Sequence, residues 1–534
     1  MEKSYFGVML DCSRNAVMKP EKVKDFVKTI KALGYNMIQL YTEDTFEVDG
    51  EPYFGYLRGR YTKEELKDMV SYCNSIGVEM IPCIQTLAHL NAIFRWRPYQ
   101  PINDTADILL IDDERTYQLI DNMFKTLREC FTTDTIHIGM DEAYMVGLGK
   151  YLEKHGYENR FKLLRSHLEK VIEIAKKYSF KPIMWADMFF FLANGDKFFN
   201  RKNMSSEQKE YVPDGVELVY WDYYSNKYSH YSELIKTHKK LSDNIWFAGG
   251  AWTWMGFAPN NDFTKKTMKP AMKACREHCI KNVFITMWGD NGGECSFYSV
   301  FPSLFAIRKF YDGVENMKEI KTEFKQITGE DFDRMIAMDL PNKVGGNRNP
   351  YCPVCKGLFY SDPFLGFLDA SFVEGITEEF KKHSRRLQKY SKEGQFGYIY
   401  ETLATLCDFL SVKYDLGVNV RKAYTSGDKQ RLEECVEQIK VAEKKLEKFY
   451  VAFRRYWFVE NKPHGFDVQD QRIGGLKLRL RSCRERLIAY IAGEISSIPE
   501  CEEKLLDVFG KGENISHGVD GWNHWITNVT TNIM

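Results

Sequence analysis

The sequence predicts an α/β protein, a (β/α)8 barrel followed by a C-terminal α-helical domain, and three observations carry this prediction. Eight short apolar runs alternate with amphipathic stretches over roughly the first 310 residues, as repeated βα units do. Polar and aromatic residues follow every one of these runs. From about Lys318 the pattern becomes helical and strongly charged. We therefore expect the barrel to occupy residues 1–315 and the helical domain residues 316–534.

The strand candidates are short runs whose composition suits buried strands. They are Tyr5–Leu10, Met37–Tyr41, Glu79–Ile84, Thr135–Ile138, Pro182–Trp185, Glu217–Trp221, Ile245–Ala248 and Val283–Trp288. Between and after them lie the helical patterns Pro20–Leu33, Lys63–Ile76, Asp113–Cys130, Asn159–Lys177, Tyr231–Leu241, Thr264–Ile280 and Ser299–Tyr311. Glycines follow the first two helical runs, as they do at many helix C-termini.

The last third of the chain reads as long helices with solvated charged faces, which indicates a bundle or helical hairpins. Its helical segments are predicted at Ile376–Lys392, Tyr398–Ser426, Asp428–Tyr456 and Ile473–Ile495. The segment Tyr456–Phe466 interrupts the pattern with aromatic and polar residues. Two interpretations of it stay open: a loop packed on its own domain, or a segment that reaches the barrel mouth, including from a second subunit. A homodimer through the helical domain is the corresponding assembly hypothesis.

Composition excludes several functional classes. Lys and Arg number 74, as do Asp and Glu, so the sequence gives no electrostatic reason to expect nucleic acid or an anionic membrane as a partner. The N-terminal segment lacks the apolar region of a signal peptide, and the 13 scattered cysteines fit reduced thiols, so we expect a cytoplasmic protein. Nucleotide-binding and zinc-protease motifs are absent from the sequence. We therefore expect no cofactor and no metal.

The residues after the strand candidates form the list of site candidates, because barrel active sites lie at the carboxyl ends of the strands. Each alone has an ordinary explanation, such as a cap or a packed indole. Their presence at all eight strand ends, with Trp at four, predicts a concave site that binds a sugar. In strand order they are Asp11 and Arg14; Glu43 and Asp44; Gln85 and His89; Asp141, Glu142 and Tyr144; Trp185 and Asp187; Trp221, Asp222, Tyr223 and Tyr224; Trp252 and Trp254; Trp288, Asp290, Asn291 and Glu294.

The adjacent acids Asp141 and Glu142 are central to this list. Two neighbouring carboxylates repel each other, so a buried pair is costly unless something uses it. Alone, the pair could equally be the N-terminus of a helix, where acids are favoured by capping and by the helix dipole. Their place at the end of the fourth of eight strands favours a catalytic centre.

At this point the chain resembles glycoside hydrolase family 20, the β-N-acetylhexosaminidases. The family hallmark His-x-Gly-(Gly/x)-Asp-Glu is matched by His137–Glu142. Leu10–Arg14 resembles the arginine motif of the first strand, Ile81–His89 the third-strand motif that ends in His, and Trp288–Asp290 the eighth-strand Trp-x-acid motif. The resemblance covers roughly residues 1–310, and the motifs fall on the expected strands in the expected order.

The chain departs from the family in three ways. Met140 stands where the hallmark usually has its second glycine. The first strand begins near Tyr5, so we expect no small α/β domain before the barrel. The family's catalytic tyrosine often follows strand seven, where this chain has Trp252 and Trp254 instead. We therefore transfer that role to the pair after strand six and prefer Tyr223 over Tyr224, because Tyr223 shares strand parity with Trp221.

The resemblance implies an exo-acting β-N-acetylhexosaminidase whose substrate supplies its own nucleophile, the 2-acetamido oxygen, to form an oxazolinium intermediate. Glu142 would be the general acid and then the base. Asp141 would orient the acetamido group and stabilise the developing positive charge, and Tyr223 would donate to the acetamido oxygen. The implied sugar-binding residues are Trp185, Trp221 and Trp252 around the acetamido methyl, Trp288 under the ring, Arg14 and Asp290 on the hydroxyls, and His89 with Glu43 or Asp44 as supporting groups.

Two other functions stay open from sequence alone. One is a barrel glycosidase with an ordinary carboxylate nucleophile, for which Asp187, Asp222 and Asp290 are candidates. The other is a sugar-binding barrel without catalysis, although binding alone does not need adjacent acids. The choice between N-acetylglucosamine and N-acetylgalactosamine is not encoded in any recognisable motif.

Overall fold

The computed structural model describes residues 4–193, 206–290, 292–346 and 354–506. The chain forms two compact units. The first comprises Met1–Ala251, Phe263–Trp288 and Phe301–Gly329, and the second comprises Trp252–Asp262, Gly289–Val300 and Glu330–Met534. The domain boundary after residue 315 stays a prediction.

The first unit contains a closed barrel of eight parallel strands, which confirms the predicted fold class. Each strand pairs with its neighbours in sequence, and the eighth closes onto the first. At the closure Val8 lies in register with Ile285 on one side and Ile38 on the other. The strands are β1 (Phe6–Asp11), β2 (Met37–Tyr41), β3 (Glu79–Cys83), β4 (Thr135–His137), β5 (Lys181–Trp185), β6 (Glu217–Trp221), β7 (Ile245–Gly250) and β8 (Val283–Met287).

Two of the helices that follow the strands begin at residues whose side chains cap the helix N-terminus. Thr62 and Glu65 form a reciprocal capping box at the second helix, and the Asp113 side chain caps the fourth. The helices are α1 (Pro20–Ala32), α2 (Lys63–Ser75), α3 (Asn91–Phe94), α4 (Glu114–Cys130), α5 (Lys150–His155), α6 (Arg160–Lys177), α7 (Asp187–Ala193), α8 (Tyr228–His238), α9 (Asn261–Glu277), α10 (Phe301–Tyr311) and α11 (Met317–Thr328).

The connection from β3 to β4 contains a small antiparallel hairpin that the sequence did not predict. Its strands are Asn103–Thr105 and Ile108–Leu109. Runs of three and two residues are too short to show the alternating pattern from which strands are recognised.

The second unit is helical, as predicted. Its two longest helices pack against each other, and the Phe449, Phe453, Trp457 and Phe466 rings contact one another in its core. The predicted helix Tyr398–Ser426 is divided into two. The helices are α12 (Phe332–Ile336), α13 (Val354–Tyr360), α14 (Ile376–Tyr390), α15 (Gly397–Lys413), α16 (Leu416–Thr425), α17 (Lys429–Glu460), α18 (Phe466–Ala492) and α19 (Pro499–Glu502).

A cluster of buried charges lies within the second unit. Lys356 Nζ donates to Glu294 Oε1 at 2.5 Å, and Arg472 donates to the same oxygen at 3.2 Å. The Lys356 and Glu294 side chains are almost entirely buried. Burial lowers the pKa of Lys356, and the Glu294 carboxylate opposes that change. In the part of the chain that the structure describes, no helix is long and apolar enough to cross a membrane.

Candidate active site

A chain of hydrogen bonds crosses the carboxyl ends of the first four strands. Arg14 pairs with Glu43, and Tyr41 donates to the same Glu43 oxygen at 3.0 Å. The Gln85 amide donates to Tyr41 Oη at 2.9 Å and to Asp141 Oδ1 at 2.7 Å. Because these links connect the ends of β1, β2, β3 and β4 in turn, the chain fixes the position of Asp141 relative to Arg14.

The turn after β4 has a strained backbone that aims the acidic pair. Gly139, Met140 and Glu142 have φ angles of 72°, 68° and 52°, in the left-handed region. A side chain on Gly139 would place its Cβ 2.1 Å from Gln85 Oε1. That oxygen instead accepts the Met140 N–H at 3.1 Å. Gly139 is therefore required both for its φ and for the close approach of Gln85.

Met140 departs from the family hallmark, and its environment supplies a reason. Its side chain is completely buried. Burial of a methionine side chain is worth about 1.5–3 kcal/mol, and a left-handed conformation costs a non-glycine residue about 1–2 kcal/mol. Packing can therefore offset the backbone strain at this position.

His89 lies between the two acids. Its Nε2 is 3.2 Å from Asp141 Oδ2 and 3.7 Å from Glu142 Oε2. The backbone N–H of His89 donates to Asp107 Oδ2 at 3.0 Å, and its φ is 57°. One imidazole is thus held where it contacts both carboxylates.

The electrostatic environment separates the acidic pair. Burial raises the pKa of Asp141, but the charge and hydrogen bond of His89, together with Gln85, outweigh burial and lower it below its usual value. Burial and the Asp141 charge raise the pKa of Glu142. Burial lowers the pKa of His89, yet Asp141 and Glu43 raise it to about 10 overall. Asp141 is therefore ionised beside a cationic His89, while Glu142 holds its proton more readily than a free glutamate.

Glu142 is positioned by two further groups. Its backbone N–H donates to Asp187 Oδ2 at 3.0 Å, and its carboxylate accepts the Tyr144 hydroxyl at 3.1 Å. Asp187 also accepts the Trp221 indole N–H at 3.4 Å. The Glu142 side chain is 40% exposed and that of Asp141 is 11% exposed. The acid that would meet a leaving group therefore faces solvent, and its neighbour does not.

The predicted aromatic residues of the first unit form two groups. Trp185 is buried, with its ring centroid 4.4 Å from His137 and 6.2 Å from Trp288. Trp288 also meets the edge of Tyr41 at 4.9 Å.

The second group lies after β6. Trp221 stacks on Tyr223 at 5.6 Å with an interplanar angle of 26°. Tyr223 is buried, whereas Tyr224 is 40% exposed.

Trp252 and Asp290 lie on the segments after β7 and β8 that belong to the second unit. Trp252 is buried and stacks on Trp254 at 4.4 Å. Asp290 is half-buried. Asn291, another candidate after β8, lies outside the described residues.

Several groups that shape the site have partners that sequence reasoning missed. Gln85 and Asp187 were recognised as strand-end residues, and Asp187 as a candidate nucleophile, but their partners depend on contacts across strands. Tyr41 is the last residue of β2 and Tyr144 follows the acidic pair by two positions. Their positions in sequence were the available signals, and neither position identifies a bonding partner.

Asp222 is engaged away from the acidic pair. Its Oδ2 accepts from Tyr220 at 3.1 Å and lies 2.7 Å from His230 Nε2, and its Oδ1 accepts the Tyr224 N–H at 3.1 Å. Among the described residues there is no group of three or more His, Cys, Asp or Glu side chains that could hold a metal ion.

A closed (β/α)8 barrel with two adjacent acids of opposite pKa shift at the end of its fourth strand is a glycosidase architecture. Comparison with known families agrees. Residues 4–205 match the model of the glycosyl hydrolase family 20 catalytic domain, and residues 330–519 match the glycoside hydrolase 20C C-terminal domain. The two matches together span well over half of the chain, which belongs to glycoside hydrolase family 20.

Individual relatives are distant. Hexosaminidase D of Bos taurus is 26% identical over 243 residues, which cover 43% of this chain and 64% of that protein. Hexosaminidase D of Homo sapiens is 23% identical over 222 residues, covering 39% of this chain and 43% of that protein. The chain thus spans less than two thirds of the length of these relatives.

Among solved structures, a β-N-acetylhexosaminidase from Bacteroides fragilis aligns with a TM-score of 0.46 at 20% identity, covering 61% of this chain and 70% of that one. A Flavobacterium johnsoniae chitobiase aligns with a TM-score of 0.47 at 14% identity, covering 85% and 78%.

Proposed function

We propose that the protein is an exo-β-N-acetylhexosaminidase that removes terminal β-linked N-acetylglucosamine or N-acetylgalactosamine with retention of configuration. The observation that carries the proposal is the arrangement at the end of β4, where His89 Nε2 lies 3.2 Å from Asp141 Oδ2 and 3.7 Å from Glu142 Oε2. The pKa of Asp141 is lowered and that of Glu142 is raised, in agreement with this arrangement. Family membership and the relatives named hexosaminidase support the same activity.

In the proposed mechanism the protonated Glu142 gives its proton to the glycosidic oxygen as that bond breaks. The acetamido oxygen of the substrate attacks the anomeric carbon and forms a cyclic oxazolinium ion. Glu142 then takes a proton from water, and the water oxygen attacks the same carbon and opens the ring. Two inversions at one carbon give net retention.

The proposed role of Asp141 is to accept the acetamido N–H and to stabilise the positive charge of the intermediate. Its two oxygens already face donors, Gln85 at 2.7 Å and His89 at 3.2 Å. A carboxylate held in this way keeps acceptor capacity, because each oxygen has two lone pairs. An ionised acceptor for the acetamido N–H is what the substrate-assisted route requires at this position.

The sugar itself would be held by side chains at the other strand ends. Arg14, oriented by Glu43, would bind the 3- and 4-hydroxyls through its planar fork. Tyr223 remains our preferred donor to the acetamido oxygen over Tyr224. The other proposed contacts in the first unit are Trp185 and Trp221 around the acetamido methyl, Trp288 under the ring, and His89 as the partner of both acids. The roles of Trp252 and Asp290, which belong to the second unit, stay predictions from sequence.

A carboxylate nucleophile would have to come from another strand end. Asp187 accepts the Glu142 backbone N–H and the Trp221 indole, and Asp222 is held by Tyr220 and His230. These bonds support positioning roles for Asp187 and Asp222. The homodimer and the cytoplasmic location remain predictions from sequence.

Turnover of aryl β-N-acetylglucosaminide and β-N-acetylgalactosaminide by the purified protein tests the proposal. We expect hydrolysis of at least one, with inhibition by a thiazoline mimic of the oxazolinium ion. Glu169→Gln, at an exposed site paired with Arg165, serves as the matched control for Glu142→Gln. Hydrolysis without thiazoline inhibition would support a carboxylate nucleophile, and no turnover of either substrate would contradict the proposal.

A further inference from the structure

The hairpin of residues 103–109, in the connection from β3 to β4, has no role in the mechanism proposed above. Its residues are hydrogen-bonded to two different segments of the candidate active site. One segment follows β3 and carries His89, and the other follows β4 and carries Glu142 and Tyr144. The hairpin therefore connects the imidazole with the acid that it contacts.

The first set of bonds fixes the backbone around His89. Asp107 Oδ2 accepts the His89 N–H at 3.0 Å, and the Asp107 carbonyl oxygen accepts the Leu90 N–H at 3.1 Å. On the other side of His89, the Leu109 N–H donates to the Leu87 carbonyl oxygen at 2.8 Å. His89 has a φ of 57°, a conformation that a residue other than glycine keeps only where its surroundings impose it. These three bonds bracket the strained residue.

The second set of bonds fixes the segment after the acidic pair. Asp104 is buried, and each of its two oxygens accepts a different backbone N–H. Oδ2 accepts that of Gly147 at 3.0 Å, and Oδ1 accepts that of Tyr151 at 2.8 Å. Gly149, between them, has no room for a side chain, because a Cβ there would lie 2.3 Å from the Asp104 carbonyl oxygen. The segment thus packs directly against the hairpin.

A tight turn connects the bonds of Asp104 with the side chain of Glu142. The Tyr144 N–H donates to the Glu142 carbonyl oxygen at 2.6 Å, and the Tyr144 hydroxyl donates to Glu142 Oε1 at 3.1 Å. Gly147, the first residue that Asp104 holds, follows Tyr144 by three positions. A displacement of Gly147 would therefore reach the carboxyl group of the proposed general acid.

We propose that the hairpin sets the contact between His89 and the acidic pair, with Asp107 and Asp104 as its two positioning residues. The inference rests on the proposed function. Catalytic groups must be held within about 0.5 Å of their productive positions by hydrogen bonds from supporting residues. The contacts of His89 with Asp141 at 3.2 Å and with Glu142 at 3.7 Å join two separate segments of the chain. The hairpin is bonded to both segments.

Charged groups from three strand ends face the His89 imidazole, and Asp107 Oδ2 lies 3.8 Å from its Nδ1. The groups at the strand ends are Asp141 and Glu142 after β4, Glu43 after β2 and Arg14 after β1. An imidazolium that moves away from the two acids raises both of their pKa values, because it no longer stabilises their ionised forms. In the proposed mechanism Asp141 sets the acid limb of the pH profile of kcat/KM and Glu142 sets the basic limb, so both limbs then move to higher pH.

The first test compares Asp107→Ala with Asp107→Asn in pH profiles of kcat/KM for an aryl β-N-acetylhexosaminide. Alanine removes the acceptor of the His89 N–H, so both limbs should move up by about one pH unit, the low end of the effect of a charge within roughly 4–6 Å. Asparagine keeps an acceptor oxygen but loses the charge, so its limbs should stay close to those of the wild type. The two variants thus separate the hydrogen bond of Asp107 from its charge.

The second test concerns Asp104, whose two bonds use both carboxylate oxygens. Asparagine has one acceptor oxygen, so Asp104→Asn should be impaired like Asp104→Ala. We expect kcat/KM for the methyl glycoside to fall about tenfold relative to the aryl glycoside, a part of the roughly 10²–10⁴-fold that a general acid supplies. Asp112, on the same connection, pairs with Lys170 at 2.5 Å, and Asp112→Asn should change neither measurement.

Thermal unfolding of every variant accompanies the kinetics. The Asp107 side chain is 33% exposed, so its variants should fold even if those of the buried Asp104 do not. Lower melting temperatures with unmoved limbs and an unchanged substrate ratio would overturn the inference and make the hairpin a purely structural element. Limbs that move equally in both Asp107 variants would overturn it as well, because Asp107 would then act through its charge. Either result with an active wild type leaves the proposed function intact, whereas a wild type that cleaves neither glycoside would reject both.

Discussion

His89 Nε2 lies 3.2 Å from Asp141 Oδ2, and this contact controls the charge state of the acidic pair. The imidazole holds the pKa of Asp141 low against the effect of burial, and Asp141 with Glu43 raises the pKa of His89 to about 10. The positive charge also opposes the rise in the pKa of Glu142. In the proposed mechanism one side chain would therefore act on both limbs of the pH dependence of catalysis.

Replacing His89 should move the pH profile of kcat/KM to higher pH. Asp141 must be ionised, so activity is lost as pH falls through its pKa; Glu142 must be protonated, so activity is lost as pH rises through its pKa. His89→Asn removes the cation that lowers both values, and Asn tolerates the left-handed backbone of this position. Both limbs should therefore shift upward in profiles measured with the aryl glycoside. Limbs that stay in place would contradict the assigned role.

The loss of activity in Glu142→Gln should depend on how good the leaving group of the substrate is. Loss of the general acid should lower kcat by about 10²–10⁴-fold for alkyl glycosides and disaccharides, and by much less for aryl glycosides, whose leaving groups need little protonation. Steady-state rates on both classes test this, with Glu169→Gln as control. Equal losses on both classes would argue against the acid role.

Asp141→Asn should impair every N-acetyl substrate. The change removes the negative charge that faces the developing cation, for a loss of about 10²–10³-fold in kcat. Because the acetamide is the nucleophile in this mechanism, sugars that lack it should not be cleaved by either protein. Cleavage of such sugars by the variant would show that the mechanism does not depend on the substrate's acetamide.

At position 140 the glycine variant should be more stable than the alanine variant, which is the reverse of the usual order. Its side chain is buried, so Met140→Ala should cost about 2–5 kcal/mol in the free energy of unfolding. Met140→Gly loses the same side chain but relieves the φ of 68°, so it should be more stable than the alanine variant by about 1 kcal/mol. Denaturant unfolding of both variants, with exposed Met145→Ala as control, measures the difference. A less stable glycine variant would show that the backbone is not strained.

The buried charges of the second unit should be sensitive to loss of one partner. Lys356→Met leaves Glu294 with Arg472 in a buried site and should destabilise the protein by about 3 kcal/mol. The exposed pair of Lys440 with Glu437 offers the control, since Lys440→Met should change stability by less than about 1 kcal/mol. Similar small effects at both lysines would mean that water reaches the buried cluster.

Sequence reasoning placed the eight barrel strands to within two residues, because each is a short buried run bounded by polar residues. Tyr398–Ser426 was predicted as one helix, but the structure divides it after Lys413. The apolar pattern continues across that division. A break that tertiary packing imposes on a helix cannot be predicted from such a local pattern. The small hairpin between β3 and β4 was missed for lack of length.

For the site, the rule that active-site residues follow the barrel strands identified the candidate residues. It did not predict their hydrogen-bond partners. The bonds of Gln85 to Tyr41 and to Asp141 depend on how three strands are aligned, and that alignment is a property of the closed barrel. The left-handed φ of Glu142 could not be predicted either, because glutamate has no intrinsic preference for that backbone conformation. Tertiary contacts impose it.

Glu43, His89, Met140 and Glu142 all hold positive φ angles at neighbouring strand ends. At Glu43, His89 and Glu142 a laboratory selection for heat resistance alone would favour asparagine or glycine, since either releases about 1 kcal/mol of strain at each position. At Glu43, His89 and Glu142 each gain would discard a group that the proposed chemistry uses. Thermostable variants of this enzyme should be sought in the outer helices, with these four positions held fixed.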